Sequence, residues 1–180
     1  MKTDYDAKWE ARTAEMRTAM KAWRDSHPQA TFLQIEVALE EELSKLWAEM
    51  LSDLANASAA AEGETADGKR TRCPHCGGAS HRHGHRKREL RGRHDQSIRI
   101  ERRVMTCAEC GHTFFPLDNE LELAKHEQLT TWLRACLVRP GTNEAFGRAV
   151  KEMAFHHRVT VSKESIRTHT EAAGEAHVQL

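Results

Sequence analysis

Cys73-Pro74-His75-Cys76-Gly77-Gly78 and Cys107-Ala108-Glu109-Cys110-Gly111-His112 are two copies of one pattern, and their reading decides the fold. A Cys-x-x-Cys followed by glycine lets the backbone curl around a cation so that two thiolates reach it. Two such knuckles complete a tetrahedral shell of four sulfurs. Disulfide pairing would need an oxidising compartment, but no apolar signal segment precedes the charged start Met1-Lys2-Thr3-Asp4. A thioredoxin-like site uses one such motif and lacks the trailing glycines. Cys73, Cys76, Cys107 and Cys110 are therefore expected to hold one structural zinc, with rubredoxin-like iron as the minor alternative for an all-sulfur shell. His75 and His112 are expected outside the shell, His112 being the fallback ligand. The 30 residues between Cys76 and Cys107 exceed the usual separation of ribbon knuckles and must carry strands of their own.

Strand signals appear there: Ser97 to Glu101 alternates with period two, and Val104-Met105-Thr106 leads into the second knuckle. On either side the periodicity is helical. Tyr5, Trp9, Met16, Met20 and Trp23 share a stripe that Pro28 closes. Thr31-x-x-Gln34 is a capping box opening a second helix, through Leu39, Leu43, Leu46, Met50 and Leu54 at near-heptad spacing. These helices make either an intramolecular hairpin or, through residues 31–54, a pairing surface for another copy. Residues 56–70 are small, polar and glycine-containing, which reads as a flexible linker.

Past the second knuckle, Phe114-Phe115-Pro116-Leu117 reads as an anchor to the next helix, which carries Trp132, Leu133, a core Cys136 and Leu137 and ends at Arg139-Pro140-Gly141. Phe146, Ala149, Val150 and Met153 mark another helix. Ser162 is then an N-cap, with Val161 and Ile166 as a hydrophobic staple and Gly174 as the C-cap. Two short helices about a tight connection give a helix-turn-helix pattern. The expected class is mostly α with a small β zinc ribbon: a helical hairpin over 1–55, a linker over 56–70, the ribbon over 71–118 and the helix-turn-helix domain over 119–180.

A formal net charge of zero hides an asymmetry. Residues 1–68 hold 7 basic and 14 acidic side chains, residues 69–103 hold 12 and 3, and residues 104–180 hold 8 and 10. Arginine on a metal-stapled scaffold suits bidentate contact with phosphate. Double-stranded DNA is thus the leading partner, with internal pairing to the acidic helices as the competing use of the charge. Arg86, Lys87, Arg88, Arg91, Arg102 and Arg103 are expected to contact phosphates. Lys163, Ser165 and Arg167, at the start of the last helix, are expected to reach base edges. With 30% charged residues, a mean hydropathy of -0.70 and no apolar run of membrane-spanning length, no membrane partner is expected.

The knuckles, the run Gly84-His85-Arg86-Lys87-Arg88-Glu89-Leu90, the stretch Phe115-Pro116-Leu117-Asp118 and the segment Val161 to Arg167 together resemble the N-terminal part of bacterial insertion-sequence transposases of the Kra type. The helix opening Thr31-Phe32-Leu33-Gln34-Ile35-Glu36 is similar to theirs too, so the resemblance covers most of residues 31–174. It implies that ribbon and helix-turn-helix grip transposon ends, and that a following RNase-H-like domain with three carboxylates cuts DNA. Since the chain stops at Leu180, the expectation is a truncated, non-catalytic, cytoplasmic and nucleoid-associated DNA-binding protein. The alternative is a protein-interaction zinc ribbon or domesticated regulator that docks a partner through its helical hairpin.

Overall fold

The computed structural model describes residues 5–178, with side chains through 175, and the order of elements is mostly helical around one small sheet. Helix α1 (Tyr5–Ser26) and helix α2 (Phe32–Asn56) are joined by a turn containing Pro28, which cannot continue a helix. The capping box forms as its sequence requires: the Gln34 N–H donates to Thr31 Oγ1 at 3.3 Å and the Thr31 N–H donates to Gln34 Oε1 at 2.8 Å. The helices lie against one another through Lys8 and Asp53 (2.5 Å), Trp9 Nε1 and Asp53 (3.0 Å), and Arg12 and Glu49.

Strands β1 (Ser80–Arg91), β2 (Ser97–Cys107) and β3 (Thr113–Phe114) form an antiparallel sheet in the order β1-β2-β3, with Met105 opposite Phe114 and Thr106 opposite Thr113. β3 covers only the end of β2. The rest of that edge is closed by α2, whose Ser52 and Asn56 side chains bond the main chain of Arg99 and Glu101. Side chains thus stand in for a missing strand at Arg99 and Glu101. A short helix α3 (Pro116–Glu120), begun by proline at a position where no N–H is needed, follows β3.

Residues 56–70 are not the flexible linker that their small, polar composition suggests. Ser58 caps a 3-10 turn over Ala59–Glu62, Ala60 and Ala61 are buried, and Glu64 bridges Arg70. The turn leaves through Gly63 at φ +77, where a Cβ would stand 2.6 Å from Met105 Sδ, so only glycine fits both the torsion and the space. Alanines here lie against other residues of the same unit, a use that composition does not separate from a linker.

The chain divides into two compact units. The first takes residues up to Glu89 together with Ile98–His126, and the second takes Leu90–Ser97 with Glu127 onward. The tip of the β1-β2 hairpin therefore belongs with the helical segment instead of the module expected over 71–118. In that second unit α4 (Thr131–Asn143), α5 (Phe146–His157) and α6 (Lys163–Val178) enclose Leu129, Leu133, Leu137, Ala149, Met153, Val159, Val161 and Ile166, with Cys136 partly buried against them. The Ser165 N–H donates to Ser162 Oγ at 3.0 Å, as an N-cap should.

Two helix ends differ from expectation. Pro140 does not end α4, which continues through Asn143, and Gly174 lies within α6 instead of capping it. Gly141 explains the first: a Cβ there would be 2.2 Å from Thr170 Oγ1 and 3.0 Å from Ile166 Cγ2. Tight packing of α4 on α6 selects this glycine, and it offsets the backbone bond lost at proline. Among the described residues no helix is long and apolar enough to cross a membrane.

Candidate metal centre and basic surface

The two knuckles fold alike because their sequences are alike. Gly77 donates to the Cys73 carbonyl at 2.9 Å and Gly111 to the Cys107 carbonyl at 3.2 Å; both glycines are left-handed, at φ +74 and +69. Each turn is closed by a second bond, Cys73 N–H to Gly78 and Cys107 N–H to His112. Each also directs an N–H at its first sulfur, from His75 to Cys73 and from Glu109 to Cys107, both at 3.4 Å.

Their sulfurs converge. Cys73 and Cys110 lie 3.7 Å apart, Cys76 and Cys107 3.4 Å, and Cys76 and Cys110 3.5 Å. A tetrahedron with metal–sulfur bonds of about 2.3 Å has edges of about 3.8 Å, so the four residues fit such an ion. Cys73 and Cys107 are buried while Cys76 and Cys110 face solvent.

Charge makes the same demand. The Gly78 N–H favours the Cys76 thiolate, yet the adjoining sulfurs win and push that thiol up to about 12, and Cys110 is also raised. N–H groups of Cys110 and Glu109 bring Cys107 down to about 7. Four sulfurs this close cannot all ionise by themselves, and a divalent cation would let them. His75 and His112 stay out of the cluster; their rings stack on each other at 5.7 Å, and His112 stacks on Phe114 at 6.1 Å.

The basic residues divide sharply. β1 is exposed from His81 through Lys87, so Arg86 and Lys87 face solvent, with Glu101 reaching Lys87 only at 3.3 Å. Arg88 and Arg102 are turned inward, against expectation. Both donate to Asp118 Oδ2, at 3.0 and 2.5 Å, and the three side chains retain only 8%, 12% and 12% of their exposure. Arg88 also donates to the Ala124 carbonyl, and Arg102 stacks on Phe115 at 4.2 Å. These contacts explain why neither is presented to a phosphate: Asp118 is buried along with Pro116 and Leu117, and it draws both cations with it.

Arg103 pairs with Glu62, whose carboxyl that guanidinium holds below its ordinary range. Arg91 pairs with Asp95 at 2.5 Å and donates to the Thr160 carbonyl, while Asp95 accepts the Thr160 N–H at 3.0 Å. That double grip accounts for the left-handed torsion of Asp95, φ +59. On α6, Lys163 is exposed, Ser165 is half-buried, and Arg167 is exposed but held by Glu164 at 2.5 Å and Glu171 at 3.5 Å.

Asp118 is the site residue that charge counting missed. Its signal was a carboxylate directly closing the apolar run Phe114-Phe115-Pro116-Leu117, which follows an arginine-rich hairpin. Comparison with known protein families, curated proteins and solved structures finds no match to this chain.

Proposed function

We propose that this chain is a zinc-stabilised DNA-binding protein, of the kind that grips transposon ends in bacterial insertion-sequence transposition. The observation that carries the reading is a four-cysteine cluster stapling a hairpin whose β1 strand stays exposed and basic from His81 through Lys87. Zinc would be the ion, held by Cys73, Cys76, Cys107 and Cys110. Its task is structural: it ties the two knuckles together and supplies the charge that keeps four thiolates side by side.

In this reading Arg86 and Lys87 meet phosphates, with Arg82, Arg91 and Arg103 committed first to internal partners. α5 and α6 act as a helix-turn-helix, with Lys163 and Arg167 presented to the major groove from the first turns of α6. Glu164 and Glu171 hold Arg167 extended along the helix until a guanine edge replaces them. The role is recognition, in a cytoplasmic, nucleoid-associated setting, with strand cleavage left to other carboxylate-bearing parts of such machinery.

The test is binding of the zinc-loaded chain to duplex DNA across a salt series. With Arg86 and Lys87 engaged on phosphates, the logarithmic slope should be about −2, and it should shrink by about one for each of the two neutralised. A Lys163→Ala or Arg167→Ala loss confined to a preferred sequence would support the groove assignment. No salt-dependent binding, or magnesium-dependent nicking by the purified chain, would overturn the reading.

A further inference from the structure

The α1-α2 hairpin is one layer with an open side. No residue of α1 is buried, and α2 buries only Ala38, Ser44 and Ala48. At about 100° per residue, Phe32, Leu39, Leu43, Met50 and Leu54 fall within an arc of about 60° on α2, while Glu49 and Asp53, which meet α1, lie about a quarter turn away. That strip is uncovered: Phe32 is 76% exposed and Leu54 56%, with Leu39 and Leu43 exposed between them. Two helices in a single layer cannot cover both of their apolar stripes, and a second helical layer is the arrangement that does.

Charge names the occupant. Toward the open ends of the hairpin, Lys8 and Arg12 already meet Asp53 and Glu49. Toward the connecting turn, exposed Arg17 and Lys21 on α1 and Glu36 on α2 make no ion pair among the described residues. Arg17 lines the same groove as Met50, so the spare cations flank the apolar strip. Glu36 and Glu40 border it on α2. A copy laid on the strip with its turn at the same end sets Lys21 of one chain level with Glu36 of the other, with Arg17 one helical turn further along the same seam. The reversed copy sets acid against acid, because α2 holds six acidic residues and one lysine.

We propose that a second copy of this chain covers the α2 strip, giving a four-helix bundle with both connecting turns at one end. This stands apart from the DNA reading, since neither the metal centre nor α6 takes part.

Sedimentation equilibrium of the full zinc-loaded chain should give twice its 20.5 kDa. Leu39→Glu with Leu43→Glu should weaken the dimer at least about 100-fold by placing carboxylates in the buried seam, with zinc content and helical circular dichroism unchanged. Should that variant misfold, the charge pair decides. Lys21→Glu or Glu36→Arg alone should weaken the dimer about 10-fold, and the two together should restore it. Nitroxide labels at Phe32→Cys, in a Cys136→Ala background, should lie close together; the reversed bundle would hold them about 33 Å apart. A monomer at all concentrations, a dimer indifferent to all these substitutions, or the long label distance would overturn the proposal.

Discussion

Removing the Asp118 carboxylate should destabilise the protein far more than its place on a five-residue helix suggests. Arg88 and Arg102 both donate to Asp118 Oδ2 from positions almost closed to water. Asp118→Ala therefore leaves two guanidiniums beside each other, desolvated and without a counter-charge. Breaking a buried pair from one side costs about 3 to 5 kcal/mol, against a total stability of about 5 to 15 kcal/mol for a domain. Denaturant unfolding of the zinc-saturated chain reads this as a lower midpoint at unchanged slope. Replacing the whole triad by Asp118→Leu, Arg88→Met and Arg102→Met should recover the parent midpoint to within about 1 kcal/mol, since packed apolar groups replace buried ions at little cost. An Asp118→Ala loss under about 1 kcal/mol would show that water reaches both arginines. If Arg88→Met with Arg102→Met left stability intact yet cut the DNA salt slope by two, the inward assignment would be refuted and the phosphate role restored.

Removal of zinc by a chelator, or Cys107→Ser, should unfold the sheet together with both knuckles. Binding of about 10 to 16 kcal/mol exceeds what so short and polar a segment gains from its own core, and elemental analysis should find one zinc per chain. Gly141→Ala should cost about 1 to 3 kcal/mol by forcing α4 and α6 apart, although alanine ordinarily favours a helix, and thermal unfolding measures it. His157 should give the helical unit an acid-sensitive stability. Burial, aided by repulsion from His156, Arg93 and His94, lowers its folded pKa below 6.5. The unfolded state then binds the proton first, so stability is complete above about pH 6.5 and falls on acidification below it. Subtracting a His157→Gln variant from the parent between pH 7 and pH 5 should expose that slope, and no difference would remove the assignment.

What the sequence disclosed and what it withheld follow from the range of each interaction. Thr31 and Gln34 lie in one turn of chain, as do Ser162 and Ser165, so both caps were legible from local spacing. The sulfur cluster joins residues up to 37 positions apart yet was legible too, because each knuckle is a local turn and only their joining is long-range. The ends of α4 and α6 were not. Local rules stop a helix at Pro140 and cap one at Gly174, but Gly141 answers to Thr170 and Ile166, far away in the chain.

The basic island shows the same limit with a functional consequence. Counting charge treats Arg86, Lys87, Arg88, Arg102 and Arg103 as equals, and composition offers no means to divide them. Burial divides them: a single buried carboxylate, Asp118, converts two of the five into internal structure, and Glu62 takes a third. The cations left for a polyanion are Arg86 and Lys87, at the end of an unbroken exposed run of β1 where no carboxylate draws them inward. A segment holding 12 basic residues can thus present a narrow binding edge. Affinity for DNA should track Arg86 and Lys87, and stability should track Arg88 and Arg102. Substitutions in one pair should therefore be nearly silent in the assay that reads the other.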